Sequence, residues 1–232
     1  MSATIDRNES LGDVVQRLPA AADVFERLGF DYCCGGARTL DEAASERGLD
    51  GATVAAMLDA VAAAGAGATH TAPVDSPAQL ARHIVRDHHE PLRRELPRVG
   101  ELVATVARVH GPGDPRMVEV ERVFTTMSAE LLRHMEREER ELFPLAEAID
   151  GGAAAPAVDG AVVDLLEADH DEAGAALAAL RELCGGYRLD EAYCGTHRAM
   201  MSGLNDIEVD MHRHVHEENN VLFPRLREHI GV

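Results

Sequence analysis

Residues 134–144 read HMEREERELFP and residues 214–224 read HVHEENNVLFP, so one frame of sequence occurs twice in this chain. Both copies place a glutamate four residues after a histidine, and both end in Leu-Phe-Pro. In an α-helix, residues four apart lie on one face, so each copy presents an imidazole and a carboxylate together. Two such pairs that meet in a folded chain could bind a metal ion.

The neighbours of His134 and His214 indicate which way each pair points. Apolar residues lie three, seven and ten positions before each histidine: Leu131, Met127 and Phe124 in the first copy, and Met211, Ile207 and Leu204 in the second. Each pair therefore lies on an apolar stripe, where an ionised carboxylate is costly unless it is hydrogen-bonded, paired or bound to a cation. One isolated copy would favour a solvated helix pair, whereas two copies in register favour a metal site.

Two further histidines, His89 and His170, lie in segments that resemble each other at an offset of 81 residues. Apolar residues follow each of them at steps of three, seven and ten, whereas the same steps from His88 reach a proline, a glutamate and an arginine. We therefore predict that His89 points inward and that His88 lies at the edge of the helix face.

The chain from residue 76 onward thus reads as a two-helix unit used twice, with one lone histidine and one His/Glu pair in each unit. This pattern predicts an all-α protein whose main part is an up-down-up-down four-helix bundle. The inward-facing candidates for metal ligands are His89, His134, Glu138, His170, His214 and Glu218.

This ligand set indicates the kind of metal site. Imidazole and carboxylate ligands without a thiolate are typical of two carboxylate-bridged metal ions in a helix bundle, whereas structural zinc prefers four ligands and often cysteine. We expect two iron ions, with coordination positions left for a bridging oxygen species and an exchangeable small ligand. Reactivity is then a better interpretation than a purely structural role.

Composition narrows the functional class. The chain has 232 residues, of which 46% are hydrophobic and only 3% aromatic. No segment alternates apolar and polar residues with the period of two that is typical of strands, which agrees with an all-α fold. The net charge of -19 argues against nucleic acid or an anionic membrane surface as a partner. A signal peptide pattern and a long apolar run are both absent from the sequence, so we expect a cytoplasmic protein with reduced thiols.

Three parts can be distinguished along the chain: a small helical domain at residues 1–66, a linker at 67–75 and the bundle at 76–232. The core of the small domain is thin, so we expect it to dock onto the bundle or onto a second copy of the chain in a homodimer. Its most unusual segment is FDYCCGG at residues 30–36.

Cys33 and Cys34 lie in this glycine-flanked turn. Adjacent cysteines form only a strained disulfide, so two thiols are expected. One interpretation is that they pack as small apolar residues. The other, which Gly35 and Gly36 favour by suggesting exposure, is that they exchange electrons or iron with a partner.

Several other residues have two interpretations each. Glu130 and Asp210 each lie four positions before an inward histidine, and Asp169 adjoins one, so these carboxylates could hold an imidazole or be boundary residues. His212 and His216 flank the second His/Glu pair by two positions, and we expect them to be solvated. Cys184 and Cys194 are interpreted as small core or boundary residues.

Five segments are distinctive in combination: FDYCCGG at 30–36, HHEPLRRELP at 88–97, HMEREE at 134–139, EADHDEAG at 167–174 and HVHEENNVLFP at 214–224. With these segments the chain resembles the iron-sulfur cluster repair di-iron proteins. The match to this family covers nearly the whole chain, and the added Cys-Cys domain distinguishes the family from plain hemerythrins, whose bundle is similar. The resemblance implies a non-haem di-iron protein that helps to restore iron-sulfur clusters damaged by nitric oxide or oxidants, with damaged iron-sulfur proteins as partners.

Carried over by motif, the family's ligands fall on the same six residues, and the resemblance implies that Glu138 and Glu218 bridge the irons. It also implies that Glu130 and Asp169 line a path to the metals, although Asp169 stands where the family usually has Glu. His88 stands where the family often has Tyr. Iron delivery and removal of nitric oxide are both compatible with this reading. The alternatives are a hemerythrin-like module that binds or senses dioxygen or nitric oxide, and an iron-storage or ferroxidase protein.

Overall fold

The computed structural model describes residues 5–64, 76–152 and 158–230. The linker predicted at 67–75 lies outside these ranges. Every regular element within them is a helix, which confirms the all-α prediction. Among the residues that the structure describes, no helix combines the length and the apolar character that a membrane crossing requires.

Four short helices build the N-terminal part: α1 (Leu11–Arg17), α2 (Ala21–Leu28), α3 (Leu40–Glu46) and α4 (Gly51–Ala63). Local sequence fixes their ends. Thr39 and Glu42 form a capping box at the start of α3. Gly29 ends α2 in the left-handed region at φ 69°, which glycine adopts without steric cost. The apolar faces of these helices close around Phe25 and Leu40, both fully buried.

Four long helical rods form the bundle. The first is α5 (Pro77–Ile84), a π-helical turn (Val85–His89) and α6 (Glu90–His110); the second is α7 (Arg116–Arg137), a π turn (Glu138–Leu142) and α8 (Phe143–Gly151); the third is α9 (Gly160–Leu183); the fourth is α10 (Gly195–Glu217), a π turn (Glu218–Leu222) and α11 (Phe223–Arg227). Helix α6 packs on α7 and α10, and α7 packs on α9. Consecutive rods are thus neighbours in an up-down-up-down bundle.

The three π turns show how the prolines are accommodated. Pro91, Pro144 and Pro224 each lie two residues after a π turn, and the helix continues beyond them. Proline lacks an N–H and clashes with the carbonyl of residue i−4, and the wider π turn relieves both problems. Helix α9, which forms the third rod, contains no proline and is α-helical from Gly160 to Leu183 without a π turn.

The polar candidates lie between two apolar layers. One layer fills the body of the bundle and includes Leu92 and Leu131. The other closes its end and includes Ile84, Leu142 and Leu222. Along each rod the histidines and glutamates come between residues of these two layers, so the fold places them in one buried cross-section.

Candidate metal centre

All six predicted ligands meet in this cross-section, and none is more than 4% exposed. They divide into two groups of four that share both glutamates. One group contains His89, Glu138, His214 and Glu218, and the other contains His134, Glu138, His170 and Glu218. Within each group the donor atoms lie within 4.8 Å of one another, which is a spacing that a single ion can span.

The distances within each half fit cis ligands on one ion. The Nε2 atoms of His89 and His214 are 3.0 Å apart, and those of His134 and His170 are 2.9 Å apart. Two nitrogen ligands at about 2.1 Å from an ion and at right angles lie about 3 Å from each other. The donor set therefore has the dimensions of two neighbouring coordination sites.

Both glutamates reach both halves. Glu218 places Oε1 at 3.0 Å from Nε2 of His214 and Oε2 at 3.2 Å from Nε2 of His170. Glu138 places Oε2 at 3.4 Å from Nε2 of His89 and at 3.3 Å from Nε2 of His134. This is the arrangement that carboxylate bridges between two ions require.

Outer hydrogen bonds determine which nitrogen of each ring points inward. Nδ1 of His89 donates to Glu139 at 2.7 Å, and Nδ1 of His170 donates to the side-chain oxygen of Asn219 at 2.7 Å. Nδ1 of His134 lies 3.3 Å from Asp169 Oδ2. Because these oxygens only accept, the protons belong on Nδ1 and the Nε2 lone pairs face the interior.

Lone pairs and carboxylates that converge without a cation would repel one another. Within the described ranges, neither oxygen of Glu138 has a hydrogen-bond partner, although the residue is fully buried. A buried ionised carboxylate of this kind is costly unless a positive charge lies beside it. The donor set therefore fits a bound metal cation.

Protons can supply that positive charge in the absence of metal. Burial opposes a charged imidazole, yet the nearby carboxylates of Glu138 and Glu218 raise the pKa of His89 to about 10. Burial likewise opposes charge on His134, but Glu138 above all raises its pKa to about 9. Burial also works against ionisation of Glu218, but the surrounding imidazoles, His214 first, hold its pKa well below the ordinary value. The site thus favours positive charge between its two carboxylates.

Comparisons with known proteins agree with this geometry. Residues 80–226 match the hemerythrin HHE cation binding domain, and residues 7–62 match a domain of unknown function, DUF542. The chain is 34% identical over 222 residues to the iron-sulfur cluster repair protein YtfE of Pectobacterium atrosepticum, covering 94% of this chain and 96% of that protein. It is 30% identical over 217 residues to the iron-sulfur cluster repair protein ScdA of Staphylococcus haemolyticus, covering 93% and 97%.

The chain belongs to the iron-sulfur cluster repair protein family. The cation-binding match and the buried histidine–glutamate layer together identify a metal site in its bundle.

Two residues that hold histidines of the predicted metal centre in this repair-family bundle were not predicted from the sequence. Glu139 and Asn219 each directly follow a glutamate of the centre. Each accepts a hydrogen bond from a histidine of another rod, Glu139 from His89 and Asn219 from His170. Their position after Glu138 and Glu218 is a regular signal in the two repeats. It becomes interpretable only once the π turns that begin at those glutamates are known.

The three carboxylates expected near the centre occupy different places. Asp169 contacts His134 rather than its neighbour His170. Asp210 lies 2.9 Å from Nδ1 of His88 and not against His214. Glu130 is exposed on α7, and in the part of the chain that the structure describes no hydrogen bond joins it to an imidazole. A role for Glu130 in an access path stays a prediction.

His88 was expected at an edge, and this was wrong. It is 6% exposed, and its ring stacks on that of His214 with centroids 5.2 Å apart and planes at 5°. His88 and His89 are the last two residues of a π turn, whose wider path brings both side chains inward. Regular α-helical spacing could not predict this rotation.

His212 and His216 were expected to be solvated, but they form the contact between the bundle and the N-terminal helices. Nδ1 of His212 lies 2.7 Å from Glu26, and His216 is 5% exposed with its ring 5.7 Å from that of Tyr32. The face of α10 that turns away from the centre is thus covered by another part of the chain.

The cysteine turn is also buried more deeply than expected. Cys33 is 7% exposed and packs in the core of the bundle, while Sγ of the half-buried Cys34 lies 3.8 Å from the carbonyl oxygen of His170. The Sγ atoms are 3.8 Å apart, and both thiols are free. The contact with Cys34, followed by burial, raises the pKa of the Cys33 thiol well above its ordinary value.

The glycines of this turn permit close approach rather than exposure. A Cβ on Gly36 would lie 2.3 Å from Oδ1 of Asn220 and 2.7 Å from the carbonyl oxygen of Tyr32. Asn220 donates from Nδ2 to the carbonyl oxygen of Cys33 at 3.0 Å. The turn is therefore fastened to the fourth rod two residues after Glu218. Of the remaining cysteines, Cys184 is buried and Cys194 is exposed.

Proposed function

We propose that this chain binds two iron ions in its bundle and takes part in the repair of iron-sulfur clusters damaged by nitrosative or oxidative stress. The observation that carries the proposal is the contact of Glu138 and of Glu218 with both histidine pairs. One ion would be held by His89 and His214, the other by His134 and His170, with both glutamates shared.

Iron is the metal that this donor set suits best, because imidazole and carboxylate ligands in a bundle accept it with positions left open. When bound, iron supplies redox chemistry and a place for a small ligand such as nitric oxide or dioxygen. The protein residues orient the ligands and exclude water. Glu139, Asn219 and Asp169 keep protons on the outer ring nitrogens, and the apolar layers on either side seal the centre.

The cysteine turn is proposed to pass iron or electrons between the centre and a damaged protein. The Cys34 thiol lies 3.8 Å from the backbone carbonyl oxygen of His170, so it directly contacts a residue that is a proposed ligand of the centre. The raised pKa of Cys33 keeps that thiol neutral until a metal ion or a partner displaces its proton. The relatives named above are iron-sulfur cluster repair proteins, and we propose damaged iron-sulfur proteins as the clients of this chain. Clients in the cytoplasm would place the chain there as well.

The test is reactivation of a client. A [4Fe–4S] enzyme inactivated by nitric oxide or peroxide is mixed with the iron-loaded protein, with the metal-free protein, or with an equal amount of free ferrous iron. We expect recovery of activity to be fastest with the iron-loaded protein. Tight gas binding without any reactivation would instead favour the hemerythrin-like alternative.

A second experiment separates the turn from the centre. The double variant Cys33→Ser, Cys34→Ser should keep its iron and its helix content yet restore the client poorly. Cys194→Ser is the matched control, because Cys194 is exposed and remote from the six ligands. Equal repair rates for the double variant and the parent at matched iron loading would refute a role for the turn.

A further inference from the structure

A second cluster of metal-ligating side chains lies beside the centre. His83, His88 and Glu217 offer donor atoms that all lie within 4.8 Å of one another. We propose that these three residues form a separate site for one divalent transition metal ion, such as Zn²⁺ or Fe²⁺, at the entrance to the buried centre. Two imidazoles and a carboxylate form a ligand set that such ions accept.

His88 provides the strongest evidence. Its Nδ1 donates to Asp210 at 2.9 Å, so a neutral ring carries its lone pair on Nε2. That Nε2 atom is buried and has no hydrogen-bond partner among the described residues, and the same holds for Oε2 of Glu217. The two atoms are 3.7 Å apart, which is too far for a hydrogen bond. Two donors that each lie about 2.1 Å from one ion are separated by about 3.0–4.2 Å, and this spacing falls within that range.

His83 completes the site from the preceding turn. Its Nε2 lies 3.2 Å from Oε2 of Glu217, and its Nδ1 lies 2.6 Å from Asp87. Arg86 also lies 3.1 Å from Nδ1, so without an ion the ring can accept from Arg86 and donate through Nε2 to Glu217. A cation at Nε2 reverses this arrangement, and Nδ1 then donates to Asp87.

Carboxylates behind both imidazoles match the outer partners that metal-bound histidines usually have. Asp87 stands behind His83, and Asp210 stands behind His88. Together with Glu217 they place three carboxylates around the cluster, and the guanidinium of Arg86 pairs with one of them, Asp87. The excess of negative charge favours a divalent cation.

The cluster lies between solvent and the centre. Exposure of the side chain falls from 21% at His83 to 12% at Glu217, 8% at His88 and 1% at His214. His88 and Glu217 directly adjoin the ligands His89 and Glu218 in sequence. A cation bound by these residues would therefore lie between solvent and the six buried side chains of the centre.

The first experiment counts metal ions. Iron-loaded full-length parent and His83→Ala proteins are titrated with Zn²⁺ by calorimetry, desalted and analysed for both metals. We expect the parent to bind one more Zn²⁺ than the variant at equal iron content, with affinity for that ion lowered at least about 10–100-fold in the variant. His229→Ala, which removes an exposed histidine, is the control and should match the parent.

Equal Zn²⁺ uptake by the parent and by His83→Ala would overturn the site. Zinc uptake matched by an equal loss of iron would also overturn it, because the zinc would then occupy the main centre. Circular dichroism checks that the variant is folded, and His83→Gln replaces it if helix content is lost.

The second experiment tests the position at the entrance. Metal-free full-length protein is mixed with Fe²⁺, and the initial rate of uptake is compared for the parent and His83→Ala. We expect a slower initial rate in the variant with the same final iron content. An unchanged rate, in a variant that has lost the extra Zn²⁺, would refute the entrance role while leaving the binding site in place.

Discussion

The two histidine pairs of the centre come from one repeated unit, yet they are held differently. In the His134/His170 half, both outer nitrogens have acceptors, Asp169 and Asn219. In the His89/His214 half, only His89 has one, because Nδ1 of His214 is buried without a partner among the described residues. The repeat thus preserves the inward donors while the support behind them differs.

Packing replaces the missing hydrogen bond in the second half. The ring of His214 lies flat against that of His88, and burial lowers its pKa, so it remains a neutral donor. A hydrogen bond fixes both the tautomer and the orientation of a ring, whereas stacking fixes the orientation alone. The comparison indicates that ring tautomer and orientation are more firmly fixed in the His134/His170 half.

The two halves also face different neighbours. Cys34 lies against the carbonyl group of His170 in one half, and the His83, His88 and Glu217 cluster adjoins His214 in the other. The centre therefore has a thiol side and an imidazole–carboxylate side. This polarity suits a path with separate entry and exit.

The largest loss of iron should come from removing one of the two carboxylates, Glu138 or Glu218, that both halves share. Glu138→Ala or Glu218→Ala deletes a carboxylate that contacts both pairs, so iron content should fall from about two per chain to well below one. Helix content should change far less. Iron analysis and circular dichroism measure the two quantities, and Glu141→Ala, at a partly exposed position, is the control. Full iron occupancy in both variants would contradict the bridging assignment.

Removal of outer carboxylates should distinguish the halves. Asp169→Ala deletes the acceptor of His134 and should weaken iron binding about 10–100-fold, the usual cost of losing such a partner. Asp210→Ala should leave iron affinity nearly unchanged, because Asp210 contacts His88 and none of the six ligands. Competition with a calibrated chelator gives both affinities. A larger loss in Asp210→Ala would show that support through His88 outweighs the direct contact.

Sequence periodicity predicted that the six histidine and glutamate side chains face the interior, because each has apolar neighbours at helical spacing and because two copies had to agree. The structure places these side chains together, and their role as metal ligands stays a prediction. Periodicity failed where the helix departs from that spacing. His88 turns inward on a π turn, and Glu139 and Asn219 contact their histidines from within the other two π turns of the described bundle. The prolines two residues beyond each π turn are a local signal for that departure.

Burial of the cysteine turn could not be predicted for a different reason. Adjacent glycines suit both a flexible loop and a tightly packed one, and only the partner surface distinguishes them. Here the partner is Asn220, at a distance of 187 residues from Cys33 in the chain. Contacts of this range have no signature in a local pattern.

Metal binding should release one proton from an imidazole in each half, His89 in one and His134 in the other. The pKa values of His89 and His134 in the metal-free protein are raised to about 10 and about 9, so both rings are protonated at neutral pH. A metal ion needs the neutral rings, so loading near pH 7.5 should release about two protons per chain. The number should decline as pH rises through these values, and apparent affinity should fall as pH decreases. Loading in weak buffer with a pH indicator measures the release, and none at neutral pH would contradict the assignment.

The smallest effect on the centre should come from loosening the turn on its thiol side. In Gly36→Ala the added methyl group meets Asn220 and the backbone oxygen of Tyr32, which cannot move as freely as a side chain. We expect unfolding free energy to fall by about 1–3 kcal/mol, as for other overpacked sites, with about 2–4 °C lost from Tm per kcal/mol. Iron content should be unchanged, and Cys33 should react faster with a thiol reagent. Gly195→Ala is the matched control, because its added methyl group meets nothing within 4 Å and the change should be neutral or slightly stabilising. If Gly36→Ala reacted with the reagent as slowly as the parent, the turn would be held by contacts other than this close approach.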